Sequence, residues 1–154
     1  MDSQQPHVSP LAMTRLLWFG LLIGPIAFLI VSGFVIGDGE EAGGERAATA
    51  FAMTIAAAAA VVSAVPVAFF VRGQVFKRNW EGRQVSRSGF VTGHLICLSI
   101  LEGSAFFALI TCHISQSLLP GALIAAVPMG AMVLAYPRAS ALEPPNGAPP
   151  PPPG

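Results

Sequence analysis

Four stretches of this chain run for about the length of a membrane crossing with almost no charge. Residues 16–36 and 47–71 contain no Asp, Glu, Lys or Arg. Residues 88–114 contain one acid, Glu102, and residues 118–136 contain none. A helix needs roughly 20 apolar residues to cross the hydrocarbon core. No run alternates apolar and polar residues at period two, so spanning strands are disfavoured. The pattern predicts an all-α integral membrane bundle of four transmembrane helices. Their spans are about 14–36, 47–71, 88–114 and 118–136, within a single domain over 1–138. The first run is longer than the usual ~7–15-residue core of a signal peptide and has no close small-x-small site, which favours an uncleaved helix.

Composition agrees. Charged residues are 10 % of the 154 and hydrophobic residues 53 %, whereas soluble domains carry roughly 25 % charged residues. Net charge is zero, which leaves no overall basic face for nucleic acid. Cys97 and Cys112 lie in one apolar run and in no CxxC pair. Along a helix they stand about 22 Å apart, too far for a disulfide. They read as inert apolar thiols, and neither a metal site nor a cofactor is indicated.

The loops orient the chain. Residues 72–87 hold Arg72, Lys77, Arg78, Arg83 and Arg87 against Glu81, and Arg15 and Arg138 fall on the same side. Residues 37–46 hold Asp38, Glu40, Glu41, Glu45 and one base, Arg46. Positively charged loops stay in the cytoplasm. Both termini of a bacterial inner-membrane protein would then be cytoplasmic. Lys77, Arg78, Trp80, Arg83 and Arg87 are the expected lipid-interface residues, since Trp prefers the headgroup level and Lys and Arg attract anionic lipid. Seven of the eleven residues 144–154 are proline, with no large apolar side chain to bury, so 139–154 is expected to be a disordered tail of polyproline character.

Glu102 lies almost at the centre of the third run, where an acidic side chain costs about 2.5–3.5 kcal/mol. No Lys or Arg lies within any run, so a carboxyl there keeps its proton. At 100° per residue His113 falls ~20° from Glu102, Ser99 ~60° to one side and His94 ~80° to the other. One broad face would then carry His94, Ser99, Glu102 and His113, as candidate proton- or ion-binding residues. The plainer reading is interfacial histidines that reach water and a glutamate that bonds helices together.

Small residues recur at four-residue spacing in Gly20/Gly24, Gly33/Gly37, Gly89/Gly93 and Ser99/Gly103, a pattern that lets helices approach closely, within the bundle or between copies. Pro25, Pro66 and Pro128 each remove a helical hydrogen bond, which serines such as Ser63 can offset. No GxSxG, HExxH or phosphate-binding loop is present, and an enzyme is not expected.

The stretch Glu102-Gly103-Ser104-Ala105-Phe106-Phe107-Ala108-Leu109-Ile110 resembles the carboxylate helix of rotary-ATPase proteolipid (c-type) subunits. That resemblance implies proton or sodium binding at Glu102. The family's glycine-repeat partner helix is replaced here by an alanine run, residues 56–60. Leu101 to Phe107, with Pro137 and Arg138 after the fourth run, is similar to small four-helix membrane proteins of planctomycete-type bacteria. That likeness implies the four-helix topology and carries no activity. The expected role is a non-enzymatic accessory or assembly protein whose partners are the bilayer and a second copy or another membrane protein. The alternative is a small proton or cation conductor using Glu102.

Overall fold

The computed structural model describes residues 9–36, 44–81 and 84–138. Asp38, Glu40, Glu41, Arg83 and the proline-rich segment 139–154 lie outside the described residues. The fold is all-helical: α1 Pro10–Ile36, α2 Glu45–Arg78, α3 Arg87–Ser115 and α4 Gly121–Leu134. A two-residue antiparallel ladder, β1 Trp80–Glu81 and β2 Gln84–Val85, joins α2 to α3, with Trp80 opposite Val85. α3 is the central helix and packs on the other three, and α1 and α2 each also touch α4.

Local chemistry moves several boundaries from their expected places. α1 starts four residues before its expected span because Ser9 caps it. The Ala12 amide donates to Ser9 Oγ (3.2 Å), and Pro10 occupies the first helical position, where a missing N–H costs nothing. α2 runs to Arg78, so Arg72, Lys77 and Arg78 are helical and the basic connection shrinks to residues 79–86. Positive side chains suit the carbonyl end of a helix. Phe76 fixes these last turns against α3, stacked on Phe90 at 5.9 Å. The Ser86 hydroxyl then caps α3 by accepting from the Gly89 amide (3.2 Å).

The fourth helix is shorter than the run that predicts it. α4 has 14 residues, about 21 Å of helix, against a hydrocarbon core of about 30 Å. α1, α2 and α3 are long and apolar enough to cross a membrane, whereas α4 is a shorter apolar helix. Single turns extend it at both ends. Ala122 N–H donates to the Leu118 carbonyl (2.9 Å) and Tyr136 N–H to that of Val133 (3.2 Å). Regular helix stops inside those turns because Pro120 and Pro137 bracket it and supply no amide hydrogen.

The diversion of Tyr136 N–H to Val133 leaves the Met132 carbonyl without its usual helical donor. Trp18 of α1 fills the gap, its Nε1–H donating to Met132 O at 2.7 Å. Trp18 also meets Tyr136 edge-on at 5.0 Å, and the Arg15 guanidinium lies 5.4 Å from the centre of the Tyr136 ring. The start of α1 is thereby tied to the end of α4. Arg15, Arg72, Lys77, Arg78, Arg87 and Arg138 consequently gather at one end of the bundle, and Arg46 stands at the other.

The core forms two clusters along α3. One gathers Trp18, Ala68, Cys97, Leu98, Leu101 and Met132 toward the basic end. The other gathers Ile36, Ala57, Val61, Leu109, Cys112 and Ala125 toward the opposite end. Pro25 and Pro128 are fully buried, whereas Pro66 faces outward. Ser63 donates to the Ala59 and Ala60 carbonyls, not to that of Val62, which Pro66 leaves without a donor. Both cysteines are free and buried.

Candidate functional site

Glu102 turns toward α1. A Cβ built on Gly24 would stand 3.2 Å from Glu102 Oε1 and 3.4 Å from the Phe106 ring, so the carboxyl and this ring both lie against the bare glycine backbone. Of the Gly20/Gly24 pair, Gly24 makes this contact and Gly20 opens onto free space. Among the described residues, no group exchanges a hydrogen bond with the carboxyl. Gly24 immediately precedes the buried Pro25, whose missing amide frees the Leu21 carbonyl.

His113 lies on the same seam. Ser32 Oγ donates to the Phe28 carbonyl (2.8 Å) and is 2.9 Å from His113 Nε2. Because the single serine hydrogen is committed to Phe28, the serine oxygen accepts from His113 Nε2–H. Phe28 meets His113 at 5.4 Å and Phe106 at 5.5 Å, both edge-on. Two aromatic rings therefore stand between Glu102 and His113.

The other two members of the expected face lie elsewhere. His94 is buried against α2, its ring 5.4 Å from that of Phe76 and 4.4 Å from that of Phe90. Its Nδ1–H donates to the Phe90 carbonyl (2.9 Å), and Nε2 is buried without a partner among the described residues. Ser99 is exposed on the outside of α3, as is Gly103. An 80° offset on one helix is enough to change neighbour when three helices surround it, and α3 has three.

Sequence reasoning passed over Arg72, which it placed in a loop. Arg72 ends the apolar part of α2 with its guanidinium 5.2 Å from the centre of the Phe76 ring. Its signal was its position directly after the second apolar run. Of the expected lipid-interface residues, Lys77, Arg78 and Arg87 are exposed at the basic end, and Trp80 is exposed on β1. Among the described residues, no three His, Cys, Asp or Glu side chains group as a metal site.

The chain matches no family model, no curated protein and no solved structure.

Proposed function

We propose that this chain is a four-crossing membrane protein of the bacterial inner membrane with both termini cytoplasmic, serving as a non-enzymatic accessory or assembly partner. The observation that carries the membrane reading is the outer surface. Phe34 is 85 % exposed, Leu134 78 % and Val62 75 %, on three different helices. Apolar side chains cover the outward faces of α1, α2 and α4, an arrangement stable in lipid and aggregation-prone in water. The collection of basic residues at one end supports the orientation. α4 completes a crossing with its flanking turns and the neighbouring end of α1, which the Trp18 bond holds level with it.

The accessory reading draws on the α1–α3 seam. Glu102 lies in it as a wedge on Gly24, and Phe28 and Phe106 fill the way to His113. Conduction is the second reading, favoured by Glu102 and His113 sharing that seam. Proton flux into liposomes under an imposed potential separates the two. Wild type and Glu102→Gln are both expected at the empty-liposome rate, with Glu102→Gln folded, since an amide still donates and accepts. Flux in wild type that Glu102→Gln abolishes would replace the accessory reading with conduction.

A further inference from the structure

α3 meets α1, α2 and α4 and still keeps one strip uncovered. Beyond its first turn its exposed residues are Thr92, Leu95, Ser99, Gly103 and Ile110. At 100° per residue Thr92, Ser99, Gly103 and Ile110 fall within about 40° of one another. The strip is about 27 Å long, close to the hydrocarbon thickness. Lipid chains cover its apolar members well. They cannot satisfy Ser99, nor Glu102 at the edge of the strip. Ser99 stands about 3 Å and Glu102 about 1.5 Å from the middle of α3 along its axis, where neither water nor headgroups reach.

Among the described residues, neither of these two side chains has a hydrogen-bond partner. The hydroxyls of Thr54, Ser63, Ser104 and Thr111 differ, each donating to a carbonyl of its own helix. Glu102 is half-buried and leans on the bare backbone of Gly24. Nothing of this chain stands over the pair: a Cβ on Gly103 of α3, or on Gly20 of α1, would meet nothing within 4 Å.

A neutral carboxyl both donates and accepts, and so does a hydroxyl. The pair Ser99/Glu102 is therefore complementary to a second pair of the same kind. Positively charged loops give every copy one orientation. A two-fold axis along the membrane normal then sets the Ser99/Glu102 pairs of two copies at equal depth. Side chains of a helix lean toward its N-terminus, which carries each Glu102 carboxyl to the level of the other copy's Ser99. We propose that a second copy of this chain docks on the open strip of α3, with Glu102 of each copy donating to Ser99 of the other. Gly103 lets the two α3 helices approach, as small residues do at such crossings. The proposal rests on the membrane reading above and makes the chain its own assembly partner.

Sedimentation equilibrium of the full chain in detergent micelles tests this. Wild type is expected to be a dimer. Gly103→Ile should be a monomer with unchanged helix content, since the new side chain has open space in its own chain. Gly130→Ile, also in open space but on α4, should remain a dimer. Ser99→Ala and Glu102→Leu should each raise the dissociation constant roughly tenfold, the effect of losing two intramembrane hydrogen bonds. Ser99→Ala keeps the test open if Glu102→Leu does not fold. Glu102→Gln still donates and accepts and should stay within about threefold of wild type. In membranes, on a Cys97→Ala/Cys112→Ala background, Gly103→Cys is expected to form a disulfide-linked dimer under mild oxidation and Gly130→Cys is not. A monomeric wild type or a dimeric Gly103→Ile would overturn the proposal. So would equal crosslinking at the two positions, which would mean random collision, or a crosslink from Gly103→Cys to a different protein, which would give the strip to another partner. Alkaline carbonate washing of membranes separates the two levels. Protein that stays in the membrane but is monomeric overturns this proposal alone; protein that washes off overturns the membrane reading with it.

Discussion

Gly121→Val is expected to unfold the contact between α3 and α4. A Cβ on Gly121 would stand 2.6 Å from both Cys112 Sγ and Thr111 Oγ1 and 2.9 Å from the Ala108 carbonyl oxygen. The Thr111 hydroxyl is already bonded to that carbonyl at 2.6 Å, so neither group can retreat cheaply. Overpacking a tight contact typically costs about 1–3 kcal/mol. Valine adds two further carbons against a backbone atom, which puts the change at the upper end of that range. Gly130 on the same helix has open space around it. Gly130→Val should therefore change the thermal midpoint in detergent little, while Gly121→Val lowers it sharply and Gly121→Ala falls between. Equal midpoints for the two valine variants would mean that α4 does not approach α3 as described.

The second large effect concerns orientation. Replacing Lys77, Arg78, Arg83 and Arg87 by Gln and Asp38, Glu40 and Glu41 by Lys reverses the bias of basic residues between the two ends. Seven of eight then become three of seven. Topology follows the Lys and Arg distribution over short loops, so the variant is expected to insert in mixed or inverted orientation where wild type takes one. Reporters fused to the C-terminus, active on one side only, read the result. Unchanged orientation would show that the packed helices, not the charges, decide it.

Much of the fold is legible in the sequence because apolar run length is a strong signal. α3, expected over 88–114, forms Arg87–Ser115. The misplaced boundaries arise where short polar contacts outweigh composition. Ser9 and Pro10 begin α1 early, Phe76 carries α2 past its charges, and Pro120 and Pro137 trim α4. Among the small-residue pairs, Gly89 and Gly93 do lie at a close helix approach, against Asn79 and Phe76, whereas Ser99 and Gly103 face outward. Gly121, at the tight α3–α4 contact, belongs to no pair and left no pattern to find.

The candidate site was half legible. Rotation along one helix correctly puts Glu102 and His113 on a common seam. It cannot tell which neighbour each residue meets, because that depends on helices far away in the chain. His94 turned to α2 and Ser99 to the outside for that reason. Arg72 was read as a loop residue because helix α2 continues past its apolar run, and its place over the Phe76 ring depends on that continuation.

The most direct measurement is the sidedness of four single cysteines on a Cys97→Ala/Cys112→Ala background, labelled with a membrane-impermeant maleimide. The positions are Ser3→Cys, Ala42→Cys, Gly82→Cys and Gly147→Cys. Four crossings with cytoplasmic termini predict that Ala42→Cys reacts in intact spheroplasts and that the other three react only after permeabilisation. Reaction of Gly147→Cys in intact spheroplasts, with Ser3→Cys protected, would mean that the 14-residue α4 does not return the chain across the membrane.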